Sequence, residues 1–151
     1  MRKIVMVWLL VMFLLPAICL AADKNSVSVI NHVMANQIEY QQGQGFVVIG
    51  PTNIKFENHS GANPSISKFT TLDQLLFMSG TYRVDINIVE DATGKVISTA
   101  NYNGITFQNN NSIRSFVTDW NLSAVAGLYT YQIMANDALV ASFKINIENA
   151  Q

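Results

Sequence analysis

Apolar and polar residues alternate with a period of two along the second half of this chain, a pattern that suits strands because successive strand side chains leave on opposite faces. Tyr82, Val84, Ile86 and Ile88 share one face, with Arg83, Asp85 and Asn87 on the other. Glu90-Asp91-Ala92-Thr93-Gly94 is a turn cluster, and residues 95–100 return as a second strand. Tyr129, Tyr131 and Ile133 then alternate with Thr130 and Gln132, until Asn136-Asp137 breaks the run. Leu139, Ala141, Phe143, Ile145 and Ile147 form the next face, against Ser142, Lys144, Asn146 and Glu148. Two hairpins follow from this pattern alone.

Residues 105–108 and 113–120 read as two more strands, joined by the turn-forming Asn109-Asn110-Asn111-Ser112. Upstream, 46–49 and 54–57 are short strands separated by Gly50-Pro51, and 72–78 is another, after the polar loop 58–64. Residues 27–30 open the sheet, although Ile30, Val33, Met34, Gln37 and Ile38 also fit helical spacing, so that segment has two readings. Eight to ten short strands with turns between them point to an all-β chain in a single domain, an antiparallel β-sandwich or a barrel, of which the sandwich is the expectation. Gly80-Thr81-Tyr82-Arg83-Val84-Asp85-Ile86 and Gly127-Leu128-Tyr129-Thr130-Tyr131-Gln132-Ile133 share Gly, Tyr and Ile at identical offsets. One echo is too few for a repeat architecture, and two hairpins packed in one sandwich account for it.

The start of the chain is of a different kind. Met1, Arg2 and Lys3 precede an apolar run over 4–20, and Ala21-Ala22 meets the polar Asp23-Lys24-Asn25. This is the layout of a secretory signal peptide over 1–22, leaving a domain over 23–151 that works in the periplasm or outside the cell. Cys19 and Ala21 are small residues at the spacing that cleavage after Ala21 requires. Acylation of Cys19 is disfavoured by the branched Ile18 before it. The alternative is an uncleaved anchor over 4–22, near the roughly 20 apolar residues that cross a bilayer, with Pro16 disrupting its outer end. The domain lies outside in each reading, since Arg2 and Lys3 favour an inside N-terminus.

Removing the leader leaves 7 basic residues against 10 acidic ones, a net charge of −3 with neutral histidines, scattered without blocks. No basic stripe is present to track phosphates, so a nucleic-acid partner is not expected. Cys19 is the only cysteine, which removes thiol catalysis, thiolate metal sites and disulfides from the domain. A domain of this length buries about two-thirds of its unfolded surface and needs no covalent staple. Asn58-His59-Ser60, Asn110-Asn111-Ser112 and Asn121-Leu122-Ser123 match the glycosylation triplet, as an Asn-rich chain does by chance.

Chemistry is thin. There is no Gly-x-Ser-x-Gly elbow, and His32 and His59 are the two imidazoles, without the His-x-x-x-His spacing of a zinc site. His59 falls in a polar loop and reads as solvated, while His32 reads as structural. Glu90 and Asp91 lie in a turn, and Asp85 faces Arg83 as a surface ion pair. No calcium loop is present, and Gly43-Gln44-Gly45 is a flexible turn rather than a phosphate loop. Asn101-Tyr102-Asn103-Gly104 and Asn109-Asn110-Asn111 place amides and one aromatic in loops, a surface suited to sugars or peptides, or simply residues that tolerate turns. No catalytic, cofactor-binding or metal-ligating residue is assigned, and no cofactor is expected.

On Gly127, Tyr129 and Tyr131, the strand over 139–147 and the Gly80-Thr81-Tyr82 hairpin, the chain resembles bacterial immunoglobulin-like β-sandwich domains over its last 70 residues or so. The resemblance implies a tyrosine corner at Tyr129, whose hydroxyl would bond backbone just upstream. Two departures stand out. The paired cysteines are absent, and Trp120 is too close to Tyr129 to be the buried tryptophan of the third strand. The expectation is an exported, non-enzymatic module that binds a protein or glycan partner. A structural subunit of a surface polymer, built by strand exchange from 23–40, is the alternative. A secreted enzyme inhibitor or hydrolase is a third reading.

Overall fold

The computed structural model describes residues 26–49, 56–58 and 65–149, and these are strands and turns throughout. The expected signal peptide over 1–22, His59 and most of the 58–64 loop lie outside the described residues. In chain order the strands are β1 (Val27–Ala35), β2 (Gln37–Gln41), β3 (Gly45–Ile49), β4 (Phe56–Asn58) and β5 (Ser65–Phe77). They continue as β6 (Gly80–Glu90), β7 (Val96–Phe107), β8 (Ser112–Ala124), β9 (Gly127–Ala135) and β10 (Ala138–Asn149). Among the described residues, β1-β5-β8 form one sheet, β4-β10-β9-β6-β7 a second, and β2-β3 a separate two-stranded ribbon. Every pairing is antiparallel except the short β4–β10 contact.

The two larger sheets share one core. Phe69, Leu75, Phe77, Phe116, Trp120 and Leu122 come from the first, and Val84, Ile86, Ile88, Tyr129, Tyr131 and Ile133 from the second. On β6 and β9 the alternation expected from sequence is the alternation of burial, and burial alternates along β8 as well. Removal of these side chains from water is the main driving force for closing the two layers.

Two sequence expectations fail and one open reading is decided, each at a bulge. Of the two readings open for the first segment, strand is the one found, as β1 over Val27–Ala35 and β2 from Gln37. An extra residue at Ile30, where pairing with β5 slips between Val29 and Asn31, moves the inward positions from Val27 and Val29 to His32 and Met34. That slip mimics helical spacing. Asn101-Tyr102-Asn103-Gly104 is not a loop but part of β7, a single strand over Val96–Phe107 where two strands, 95–100 and 105–108, were expected. Pairing with β6 slips here, and Gly104 takes φ +66°, the left-handed geometry that a bulge asks of glycine. The third case is Leu139, which leaves the face of Ala141 because Val140 is an extra residue in β10. Leu139 is 57% exposed, while Val140 packs against the core.

The Gly-x-Tyr echo proves to be one device used twice. The Tyr129 hydroxyl donates to the carbonyl of Val125 at 2.8 Å, and the Tyr82 hydroxyl to that of Met78 at 3.2 Å, each four residues back. Gly80, at φ +148°, makes the turn that folds the ring over it, and a Cβ there would sit 3.3 Å from the Tyr82 hydroxyl. Each ring thus staples the entry of a core strand to the turn before it.

Candidate functional site

Period-two counting along β5 puts Asp73 on the same face as Phe69, Thr71, Leu75 and Phe77, a carboxylate on the core side of the sheet. It is fully buried. Its pairing position on β1 is His32, whose Nδ1 lies 2.6 Å from Asp73 Oδ1. The other carboxylate oxygen accepts from the Tyr131 hydroxyl at 2.5 Å. That hydroxyl is 3.0 Å from Thr71 Oγ1, which in turn accepts from Trp120 Nε1 at 2.9 Å. A chain of polar groups therefore crosses the core from β8 through β5 and β9 to β1. Among the described residues no buried side-chain N or O lacks a partner, as the low-dielectric interior demands. Burial first, then the neighbouring Asp73 charge, pushes the Tyr131 phenol well above its ordinary value, so it stays a proton donor.

The outer end of this chain opens at the seam between β1 and β10. His32 stacks on Phe143 at 4.0 Å between ring centres and 9° between planes, and its side chain is 14% exposed. A cleft of about 320 Å³ there is lined by His32, Val33, Met34, Phe143 and Lys144. A carboxylate holding an imidazole is the orienting half of a nucleophilic triad, and the missing half is a hydroxyl or thiol beside the ring. None of the residues lining the cleft carries one. The Lys144 amine is engaged with Asp91 at 2.6 Å and Thr130 at 2.8 Å. The dyad ties β1 to β5 and supports Phe143 from the opposite sheet.

A second cleft, of about 430 Å³, lies where Asn36 and the start of β2 approach β5 and β8. It is lined by Asn36, Gln37, Ile38, Lys68, Phe69, Thr70, Asp119, Trp120 and Asn121. The ribbon is fastened by a small cluster of Ala35, Ile38 and Leu72, with Val33 and Phe46 against it. Thr70 Oγ1 donates to Asp119 at 2.7 Å across the β5–β8 pair. On the ribbon, Tyr40 is 70% exposed and meets Phe46 edge to face at 5.4 Å. Amides, an ammonium group and a carboxylate thus share one concavity, beside a ribbon that presents an open aromatic ring. This is the type of lining that orients a polar ligand, in a volume within the usual range for ligand sites.

The residues singled out from sequence are otherwise spent on structure. Arg83 Nε pairs with Asp85 at 2.7 Å, and Asn101 donates to the same carboxylate at 2.7 Å. Tyr102 is turned inward, its hydroxyl 2.7 Å from Thr118 and its ring edge-on to Phe116, so it forms no part of a loop surface. Asn110 accepts from the Ser79 backbone at 2.8 Å, and Glu90 bonds Thr93 within its turn. Hydrogen bonds from Lys144 and then Thr130 hold Asp91 below the usual carboxylate range. Gly43 and Gly45 form the β2–β3 turn with φ of +85° and +84°. The His32–Asp73–Tyr131 chain and the ribbon cleft were both missed from sequence. The first had a signal, Asp73 in register with four core residues, whereas the second depends on how a ribbon folds over a sheet. Among the described residues, no group of His, Cys, Asp or Glu is placed to hold a metal, and no helix is long and apolar enough to cross a membrane.

No protein-family model matches the chain, and no curated protein matches it either. Among solved structures it is similar to Northeast Structural Genomics Consortium target SoR45, solved by X-ray crystallography. The two share 13% identity with a TM-score of 0.38, over 82% of this chain and 88% of that one. A likeness at that level carries no functional argument.

Proposed function

We propose that this chain is an exported, non-enzymatic, immunoglobulin-like module that binds a protein or glycan partner in the periplasm or outside the cell. The strand order supports the immunoglobulin-like reading. β1-β5-β8 facing β10-β9-β6-β7 corresponds to strands A-B-E facing G-F-C-C′, and the Tyr129–Val125 bond has the geometry of a tyrosine corner. The leader supports export. The observation that carries binding over catalysis is the ribbon cleft. Its polar side chains face a concavity, whereas the one described imidazole is bound to a buried carboxylate and stacked on Phe143.

The test uses the exported protein immobilised and offered two probes, peptidoglycan-type oligosaccharides and detergent-extracted envelope proteins. Saturable binding to one of them is expected, weakened at least roughly tenfold by Lys68→Ala or Asn121→Ala at unchanged melting temperature. Equal binding by the variants, or none by the parent, would sink the proposal. Turnover of a peptide, ester or glycoside that disappears in folded His32→Ala would replace it with the hydrolase reading. Polymer assembly by strand exchange stays as the alternative. Its structural cost is plain, because β1 is paired with the chain's own β5 from Val27 to Ala35 and would have to leave it.

A further inference from the structure

An edge strand offers unpaired N–H and C=O groups to any extended chain, and proteins usually blunt such edges with bulges, charges or short strands. Among the described residues the two larger sheets have five edge or near-edge strands, and the ribbon strands β2 and β3, each also an edge, are only 5 residues long. β1 carries an extra residue at Ile30, β10 one at Val140, and β7 slips twice against β6. β4 has 3 residues. β8 is the exception. It runs 13 residues from Ser112 to Ala124, pairs with β5 from end to end without a register shift, and pairs with no other described strand.

Its sequence is lightly guarded. There is no proline and no lysine, and its charges are one cation, Arg114, and one anion, Asp119. Ile113 and Val117 stand 62% and 38% exposed on its outer face. We propose that β8 is a self-pairing edge, joining β8 of a second copy antiparallel about a two-fold axis at Val117. The two three-stranded sheets would then merge into one.

Charge and chemistry select both the occupant and the register. With the axis at Val117, Val117 meets its own copy, Ser115 lies opposite Asp119, and Ile113 lies opposite Asn121. No like charges face each other, and each Asp119 meets a hydroxyl donor. An axis at Asp119 would place two carboxylates directly opposite, which cross-strand pairing penalises. A closed two-fold interface of this kind uses the same patch on both copies and ends at the dimer.

Sedimentation equilibrium of the exported protein over a wide concentration range tests this. A reversible dimer is expected, with Val117→Lys raising its dissociation constant at least roughly tenfold, because two lysines then meet at the axis. Ser115→Lys, which sets an ammonium group opposite Asp119, is expected to tighten the dimer. If Val117→Lys has a lowered melting temperature, Ile113→Lys at the more exposed end serves in its place, with weakening expected. A monomer at every concentration, or a dimer indifferent to the lysines at 113 and 117, overturns self-pairing through β8. A dimer weakened by Ser115→Lys overturns the register.

Discussion

Asp73 shows how much one side chain can organise in a core of this size. Its carboxylate is shut away from water and is satisfied by two donors, the His32 ring and the Tyr131 hydroxyl. Removing it leaves both donors without their partner in a low-dielectric setting, where an unmade hydrogen bond is far more expensive than a made one is valuable. Asp73→Ala is therefore expected to lower stability by about 3 kcal/mol, read as an earlier midpoint in urea. A change below about 1 kcal/mol would mean that water or a neighbour replaces the carboxylate. His32 reads from sequence as structural, and it is bound to a buried carboxylate. Its partner was legible only to a reader who took the register of β5 seriously, because an Asp in a mixed run such as Phe69-Thr70-Thr71-Leu72-Asp73 invites a surface assignment.

At the scale of elements, the hairpins between β6 and β7 and between β9 and β10 were readable because alternating burial imposes alternating chemistry. Their turns were readable because Asn136 and Asp137, at φ of 48° and 67°, are the residue types that tolerate left-handed geometry. Bulges escaped for the converse reason. One extra residue costs the sequence nothing it can display, yet it reverses the side of every residue beyond it. The Gly-x-Tyr staples make a sharper prediction. Gly80→Ala places a Cβ at φ +148°, within 3.3 Å of the Tyr82 hydroxyl, so a loss of about 1–2 kcal/mol is expected. Gly94→Ala, at φ +68° but with open space around it, provides the contrast, since it meets backbone strain without a clash. Equal losses at both positions would show that strain alone acts at Gly80 and that the ring contact adds nothing.

For the whole molecule, burial of phenols links stability to alkaline pH. Tyr131 and Tyr129 are both raised above their ordinary value of 10.0, chiefly by burial. Above about pH 10 the unfolded chain has released those protons while the folded one retains them. The folded state then binds more protons, so stability falls as pH rises, and below that value this contribution is fully present. Urea midpoints measured from neutrality upward should hold level with respect to these groups and then decline. Tyr131→Phe, whatever its effect at neutral pH, should make the decline shallower. An unchanged alkaline slope in that variant would show that the Tyr131 phenol ionises alike in both states.

The amino-acid sequence by itself determined the kind of object this is: an all-β chain, its main turns, the inward faces of β6 and β9, and a chain without cysteine after residue 19. Those properties are local, repeated every two residues, and each strand declares its own. Tertiary structure alone decided which strands are neighbours, and so brought His32 of β1 to Asp73 of β5 and both to Tyr131 of β9. It also decided that Asn36 and β2 lie over β5 and β8 to make a cleft, and that among the described residues β8 is the edge of its sheet. Such pairings depend on the summed burial of many distant side chains against the entropy of closing long loops. That balance is a property of the whole fold, written at no single position.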